Sequence, residues 1–255
     1  MGVMGETMIK DIDEEINDVR IKLIELSAET LKQPIEILTL NDCPNFLLRD
    51  SIIYRLFSIR FHLYLIGNTQ GNIVKSMEKR FPNDDIELFL IGRDRLLYLF
   101  DDIVFGLCSL LDYIGNMIGL IYIGQHKANI KWNGCIKSCR DKNNLLSNYS
   151  ISKYLIEQDK LWASDLYCYR SRLIHDKKDN VGAKRVITLG NEGVSIRFNV
   201  EKPTMFLNII KEYSKNNDID DQNIIDIAFW LMKKNLSVIK YIIEIARTEI
   251  VEEKG

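Results

Sequence analysis

Apolar residues recur at helical spacing along most of the chain. The first series, which steps alternately by four and three residues, consists of Ile12, Ile16, Val19, Leu23 and Leu26. This period places apolar side chains on one face of an amphipathic helix, with polar residues on the opposite face. We therefore predict a first helix from about Ile12 to Leu31.

The pattern and its punctuation predict further helices. A second helix is expected from about Leu48 to Gly67, where "GNTQGN" (67–72) indicates a break. Asn83 or Asp84 would cap the third and longest helix, which continues without a proline to about Ile123. Shorter helical segments follow at about 133–146, 152–176, 204–213 and 222–252.

The period changes once, in "KRVITLGNEGVSIRFNV" (184–200). Apolar and polar residues alternate on both sides of "GNEG", which is typical of two strands joined by a tight turn whose glycines adopt positive backbone angles. The pattern as a whole predicts an all-α helical bundle with one small β-hairpin near residues 184–199. We expect a single domain over residues 10–252, without internal repeats, in which residues 184–252 extend the helical core.

The segment from Ile103 to Gly124 raises the question of a membrane span, because about 20 apolar residues can cross a bilayer. Its only full charge is Asp112, near the middle, where a carboxylate in lipid is costly. The central helix of a bundle also lacks a polar stripe. We favour the bundle and no membrane, with membrane attachment as the alternative. Asp112 then needs a cationic partner, in a structural pair or in a catalytic role.

The charge of the chain is balanced overall but uneven along its length. The 255 residues carry a net charge of -2, so bulk electrostatics favour neither nucleic acid nor an acidic partner. Between Lys127 and Arg185, however, thirteen Lys and Arg residues face six acids, a local excess of +7. The five cysteines are odd in number and scattered, which indicates a reducing, cytoplasmic location and packed thiols. Cys135 and Cys139 lack the further ligands that a zinc site needs.

The sequence contains no glycine-rich phosphate loop and no HExxH, GxSxG or CxxC motif, so common nucleotide triphosphatases, zinc proteases and hydrolases are not supported. The search narrows to three histidines. We interpret His62, in an apolar helix, as a core or boundary residue, and His126 as a loop residue that could also contact phosphate. No metal or cofactor is expected.

The third histidine lies in "CYRSRLIHDKKDN" (168–180), which holds two arginines and two lysines. Arg170 and His175 are about 140° apart on an ideal helix and do not share a face. Either the helix loosens, or the two side chains meet across a cleft or a symmetry axis. The alternative is a basic helix end that complements the helix dipole.

Arg170-x-x-x-x-His175, late in a mostly helical chain, resembles the Arg-x(4 to 6)-His signature of the HEPN superfamily (higher eukaryotes and prokaryotes nucleotide-binding). "LFDDIVFGLCSLLDYIGNMIG" (99–119) is similar to the long core helix of stand-alone bacterial members. The resemblance covers about residues 85–180. It implies a helical bundle, often a homodimer with its motifs at the interface, and in many members a metal-independent RNase of toxin-antitoxin or defence systems.

The resemblance implies roles for the residues of this segment. Arg170 would bind the phosphate, His175 would transfer a proton to or from it, and Ser171 would orient one of them. Cleavage through the 2′-hydroxyl would leave 2′,3′-cyclic phosphate ends. RNA would also be bound by Arg172, Lys177 and Lys178, with Asp112 in support. Tyr167 or Tyr169 would stack on a base, and core packing is the alternative that we favour for both tyrosines.

Ser171 departs from the family pattern, in which Asn, Asp or His usually follows the motif arginine. Serine forms hydrogen bonds but does not titrate. The alternative function is therefore a non-catalytic HEPN module that binds a nucleotide or a partner protein such as an antitoxin.

Overall fold

The structure is a computed structural model of the 255-residue chain. It describes residues 3–30, 44–83, 85–124, 130–175, 181–190, 193–215 and 223–252. These residues form a mostly helical protein with one two-stranded antiparallel sheet, which confirms the predicted fold class.

The described helices follow the predicted order along the chain. They are α1 (Val3–Thr30), α2 (Pro44–Arg80), α3 (Ile86–Tyr122), α4 (Trp132–Arg140), α5 (Ile151–Gln158), α6 (Ser164–His175), α7 (Leu207–Tyr213) and α8 (Ile224–Glu252). The strands are β1 (Ala183–Gly190) and β2 (Gly193–Val200), paired from Ala183 with Val200 to Gly190 with Gly193. The predicted turn residues Asn191 and Glu192 lie outside the described residues.

Helix α3 is the central element. Its N-cap is Asp85, whose side chain accepts a hydrogen bond from the backbone N of Leu88 at 2.9 Å. The predicted cap Asp84 lies outside the described residues. α3 packs against α2, α4, α6 and α8, and its buried residues join one continuous apolar core. Within the described residues only α3 is long and apolar enough to cross a bilayer, and 67% of its most apolar stretch is buried inside the protein.

The predicted break at residues 67–72 is wrong, because α2 continues through "GNTQGN" to Arg80. Ile66, Ile73 and Met77 are buried on the same face of this helix. The Gln70 side chain donates a hydrogen bond of 2.8 Å to the carbonyl of Phe198 in β2. These tertiary contacts outweigh the low helix propensity of glycine and asparagine.

The predicted helices at 133–146 and 152–176 are each interrupted. α4 ends at Arg140, and a 3₁₀ turn follows at Leu145–Asn148. Between α5 and α6 lies a π-helical turn, Asp159–Ala163. Asp159 in this turn is buried, accepts a hydrogen bond from Trp132 Nε1 at 3.0 Å and pairs with Arg140 at 2.9 Å. These bonds attach the wider turn to α4, and α6 begins in regular α-helical form after it.

Candidate functional site

Helix α6 carries the sequence-predicted motif and is held on both sides. Asp165 is buried and accepts hydrogen bonds from the backbone N atoms of Asn208 and Ile209, at 2.7 and 3.1 Å, at the start of α7. On the α3 side, the Tyr169 hydroxyl donates to Asp101 at 2.7 Å. These contacts place Arg170, the next residue, beside α3.

Arg170 is anchored by the carboxylate of α3 that the sequence analysis singled out. Arg170 Nη1 lies 3.5 Å from Asp112 Oδ2. The other carboxylate oxygen accepts hydrogen bonds from the Tyr167 hydroxyl at 2.7 Å and from the backbone N of Trp132 at 3.2 Å. Asp112 therefore has the cationic partner that was predicted for it, and its contacts are those of a structural pair.

A cleft of about 380 Å³ opens where α2, α3 and α6 meet. Most of its lining is polar or charged. We call it the arginine cleft, and its lining residues are Arg55, Ser58, Ile59, His62, Asp102, Phe105, Gly106, Ser109 and Arg170. The cleft brings the motif arginine of α6 together with side chains of two other helices that lie far from it in the sequence.

Two arginines of the cleft have an unpaired buried donor. The Nε atoms of Arg55 and Arg170 are both buried and have no hydrogen-bond partner among the described residues. A buried donor left without an acceptor destabilises a protein by about 1–3 kcal/mol. A bound anion such as a phosphate would provide acceptor oxygens for both groups, and arginine is well suited to this because its guanidinium is planar and always charged.

His62 supplies a titratable group to the same cleft. Its Nδ1 lies 2.8 Å from the carbonyl oxygen of Ser58. Because a carbonyl only accepts hydrogen bonds, Nδ1 carries the proton of the neutral ring and Nε2 is the free base. Nε2 lies 3.9 Å from Asp102 Oδ2, which is too far for a hydrogen bond.

A glycine of α3 allows the two walls of the cleft to approach. A Cβ added to Gly106 would lie 2.8 Å from Ile59 Cγ1 on α2 and 4.0 Å from Arg55 Cδ. Real Cβ atoms do not come as close as the first distance without displacing their neighbours. Gly106 therefore sets the close packing of α2 and α3 beneath the cleft.

His175 does not line the cleft. α6 is regular from Ser164 to His175, so the loosening considered for this segment does not occur and Arg170 and His175 stay on different faces. His175 and Ser171 are exposed, whereas Arg172 is half-buried. Lys177, Lys178 and His126 lie outside the described residues.

The two tyrosines considered for base stacking or for core packing both have structural contacts. Tyr169 is 2% exposed and packs edge-on against Phe100 and Phe206. Tyr167 is half-buried, and burial together with its hydrogen bond to Asp112 raises the pKa of its hydroxyl above the ordinary value. Tyr169 therefore packs in the core, as the favoured alternative expected, and Tyr167 holds Asp112.

Residues that sequence reasoning did not assign to a site dominate the arginine cleft. His62 was interpreted as a core or boundary residue, and Arg55 was not considered. The two are seven residues apart, which places them on one face of α2. This spacing could have identified Arg55 and His62 as a pair from the sequence alone. Only the packing of α6 against α3 shows that Arg170 lines the same cleft. In the part of the chain that the structure describes, no group of three or more His, Cys, Asp or Glu side chains could hold a metal ion.

The chain was compared with protein-family models, curated proteins and solved structures, and none of them matches it.

Proposed function

We propose that the chain is an RNA-binding protein of the HEPN type that cleaves RNA without a metal ion and leaves 2′,3′-cyclic phosphate ends. One observation carries the proposal: Arg170 and Arg55 line one cleft, each with a buried Nε that has no partner among the described residues. A phosphodiester fits this arrangement, because its oxygens accept hydrogen bonds and its charge is opposite. RNA brings its own nucleophile, the 2′-hydroxyl.

Within the cleft the chemistry needs a cation and a base. Arg170 and Arg55 hold the phosphate and stabilise the charge of the phosphorane. His62 Nε2 accepts the proton of the 2′-hydroxyl as that oxygen attacks phosphorus. The bond from phosphorus to the 5′ oxygen then breaks, the 5′ oxygen takes a proton from water, and His62 returns its own proton to the hydroxide that forms. In a homodimer, His175 of a second copy would be an alternative proton donor.

The test is incubation of the purified protein with total RNA in EDTA, with analysis of the product ends. Arg170→Ala should abolish cleavage. Arg247→Ala is the matched control, because both arginine side chains are 31% exposed and both pair with a carboxylate, but Arg247 pairs with Glu25 outside the cleft. Equal cleavage by the wild type, Arg170→Ala and Arg247→Ala would overturn the proposal.

The same assay distinguishes the roles of His62 and His175 in proton transfer. His62→Ala should reduce the rate by about 10²- to 10⁴-fold, the usual contribution of general acid-base catalysis. His175→Ala should retain activity if one chain supplies the whole site. The reverse result would assign proton transfer to His175, which then has to come from a second copy.

A second candidate function is favoured by the exposure of Ser171 and His175 outside the cleft. On this proposal the protein is a non-catalytic HEPN module that binds a nucleotide or a partner protein such as an antitoxin. Binding of a nucleotide that is lost in Arg170→Ala, with no turnover of RNA, would support it. Robust cleavage by the wild type would exclude it. Either function places the protein in the cytoplasm, where RNA and reducing conditions occur together.

A further inference from the structure

The β-hairpin leaves one edge of its sheet open. The backbone N of Glu201 donates a hydrogen bond of 2.8 Å to the carbonyl of Gly182, so these two residues form a hydrogen-bonded pair. Bonded and non-bonded pairs alternate along an antiparallel ladder. The main-chain N–H and C=O groups of Ile187 and Leu189 therefore point away from β2. Within the described residues the sheet ends at β1.

The opposite edge of the sheet is covered by α2. The Glu78 side chain accepts a hydrogen bond of 3.2 Å from the backbone N of Ile196. The Gln70 side chain donates one of 2.8 Å to the carbonyl of Phe198. Both bonds show that these groups of β2 point outward, as the alternation requires. α2 therefore occupies the edge of β2, and β1 is the edge that faces away from α2.

The open edge carries exposed apolar side chains. Val186, Ile187 and Leu189 are 56%, 38% and 70% exposed. Every residue from Val186 to Gly190 is exposed, so this half of β1 projects beyond the helices. A strand edge of this kind is a template for pairing with another chain. Its main-chain donors and acceptors are matched by an extended polypeptide, which adds to the sheet as a further strand.

We infer that a second copy of the chain adds its own β1 to this edge, antiparallel and about a twofold axis at Thr188, so that two hairpins form one four-stranded sheet. Ile187 then lies opposite Leu189 of the second copy, and each such pair exchanges two backbone hydrogen bonds. The two Thr188 side chains form a favourable cross-strand pair at the axis. This surface lies outside the arginine cleft, so the inference goes beyond the proposed function. It also differs from the dimer that the family resemblance implies, which has the α6 motif at its interface.

The distribution of charge along β1 suits this self-pairing. Its two basic residues, Lys184 and Arg185, lie at the start of the strand, and its exposed apolar residues lie near the turn. With the axis at Thr188, the two copies of Arg185 are six positions apart along the ladder, or about 20 Å. This separation exceeds the Debye length of about 8 Å. Residues 183–201 carry three basic and two acidic side chains, a net charge of +1, which gives little preference for a strongly charged partner.

The first experiment measures the dissociation constant of the dimer by sedimentation equilibrium. Leu189→Lys places a cation opposite Ile187 of the second copy and should weaken association by about 10-fold, since the change occurs twice in each dimer. Leu207→Lys on α7 is the matched control, because Leu207 is 75% exposed and Leu189 is 70% exposed. Ile187→Pro removes an outward N–H that the hairpin does not use, so the hairpin is retained. The loss of two hydrogen bonds per dimer should weaken association by about 5- to 150-fold.

The second experiment tests the register by cysteine cross-linking. Thr188 bonds to β2, so the pair at the axis is non-hydrogen-bonded, with Cα atoms about 4.5 Å apart, a distance that a disulfide spans. Thr188→Cys should therefore form a linked dimer in air. Ser195→Cys is the matched control, because Ser195 is also exposed and pairs with Thr188 across the hairpin. The two copies of Ser195 would lie on the outer strands, about 14 Å apart. Cys43 and the exposed Cys168 are replaced by serine in both variants.

The inference is supported by a concentration-dependent dimer that both β1 variants weaken and that is cross-linked through Thr188→Cys alone. A monomer at every concentration would overturn it, as would a dimer that Leu189→Lys and Ile187→Pro leave unchanged. Equal cross-linking of the two cysteine variants would overturn the pairing about Thr188. A monomer that binds a labelled peptide of residues 184–190 would also overturn it, and would assign the edge to an extended segment of another protein.

Discussion

Replacing Asp112 tests whether the carboxylate of α3 anchors Arg170. In Asp112→Ala, Arg170 loses its ion-pair partner, and Tyr167 and the backbone N of Trp132 lose an acceptor. A buried polar group left without a partner destabilises a protein by about 1–3 kcal/mol. Two features reduce the combined destabilisation from these three groups. Arg170 is 31% exposed, and the Tyr167 hydroxyl still reaches the carbonyl oxygen of Cys108 at 3.1 Å. We expect a loss of about 2–4 kcal/mol in the free energy of unfolding.

Asp112→Asn separates the charge from the hydrogen bonds. Its amide oxygen still accepts from Tyr167 and from the backbone N of Trp132, so only the ion pair is lost, and we expect a loss of about 1 kcal/mol. Urea denaturation followed by circular dichroism measures both variants, with an unchanged m value as the control for compactness. The reasoning is refuted if the alanine variant is as stable as the wild type, or if both variants lose the same free energy.

Two further predictions concern α3 and the thiols. A Cβ at Gly115 would lie 2.7 Å from the Ile130 carbonyl oxygen, so Gly115→Ala should destabilise the protein by about 1–3 kcal/mol in thermal or urea unfolding. Gly134→Ala, whose Cβ would meet only a side chain at 3.3 Å, should not. Burial raises the pKa of Cys108 to about 12, so its thiolate fraction at pH 8 is about one in ten thousand. Cys43 lies outside the described residues and is replaced by serine for this test. The native Cys43→Ser protein should then react with a thiol reagent first at Cys168, which is exposed. Rapid reaction that persists in Cys168→Ser would contradict this order.

The elements that the sequence predicted well are those with strong local signals. The alternation around "GNEG" is a short-range pattern, and β1 and β2 lie where it predicts them. The apolar period predicts α3, and its N-cap, Asp85, lies within two residues of the predicted start. Asp112 was predicted to have a cationic partner because a carboxylate in an apolar helix requires one.

The elements that the sequence missed depend on contacts between distant segments. α2 continues through residues 67–72 because of its contacts with β2 and the core, which local propensity does not encode. The π-helical turn depends on the bonds between Asp159 and α4. The arginine cleft combines Arg55 and His62 with Arg170, more than a hundred positions later, and only helix packing brings them together.

The central claim is that Arg170 contacts a phosphate of RNA, and the salt dependence of binding tests it most directly. The probe is a short labelled single-stranded RNA whose 2′-O-methyl groups prevent cleavage. Its affinity is measured over a range of salt concentrations for the wild type, Arg170→Ala and Arg247→Ala. For single strands each phosphate contact contributes about 0.7 to the slope of log affinity against log salt. We predict that Arg170→Ala lowers the slope by about this amount and that Arg247→Ala leaves it unchanged. An unchanged slope in Arg170→Ala would contradict the account.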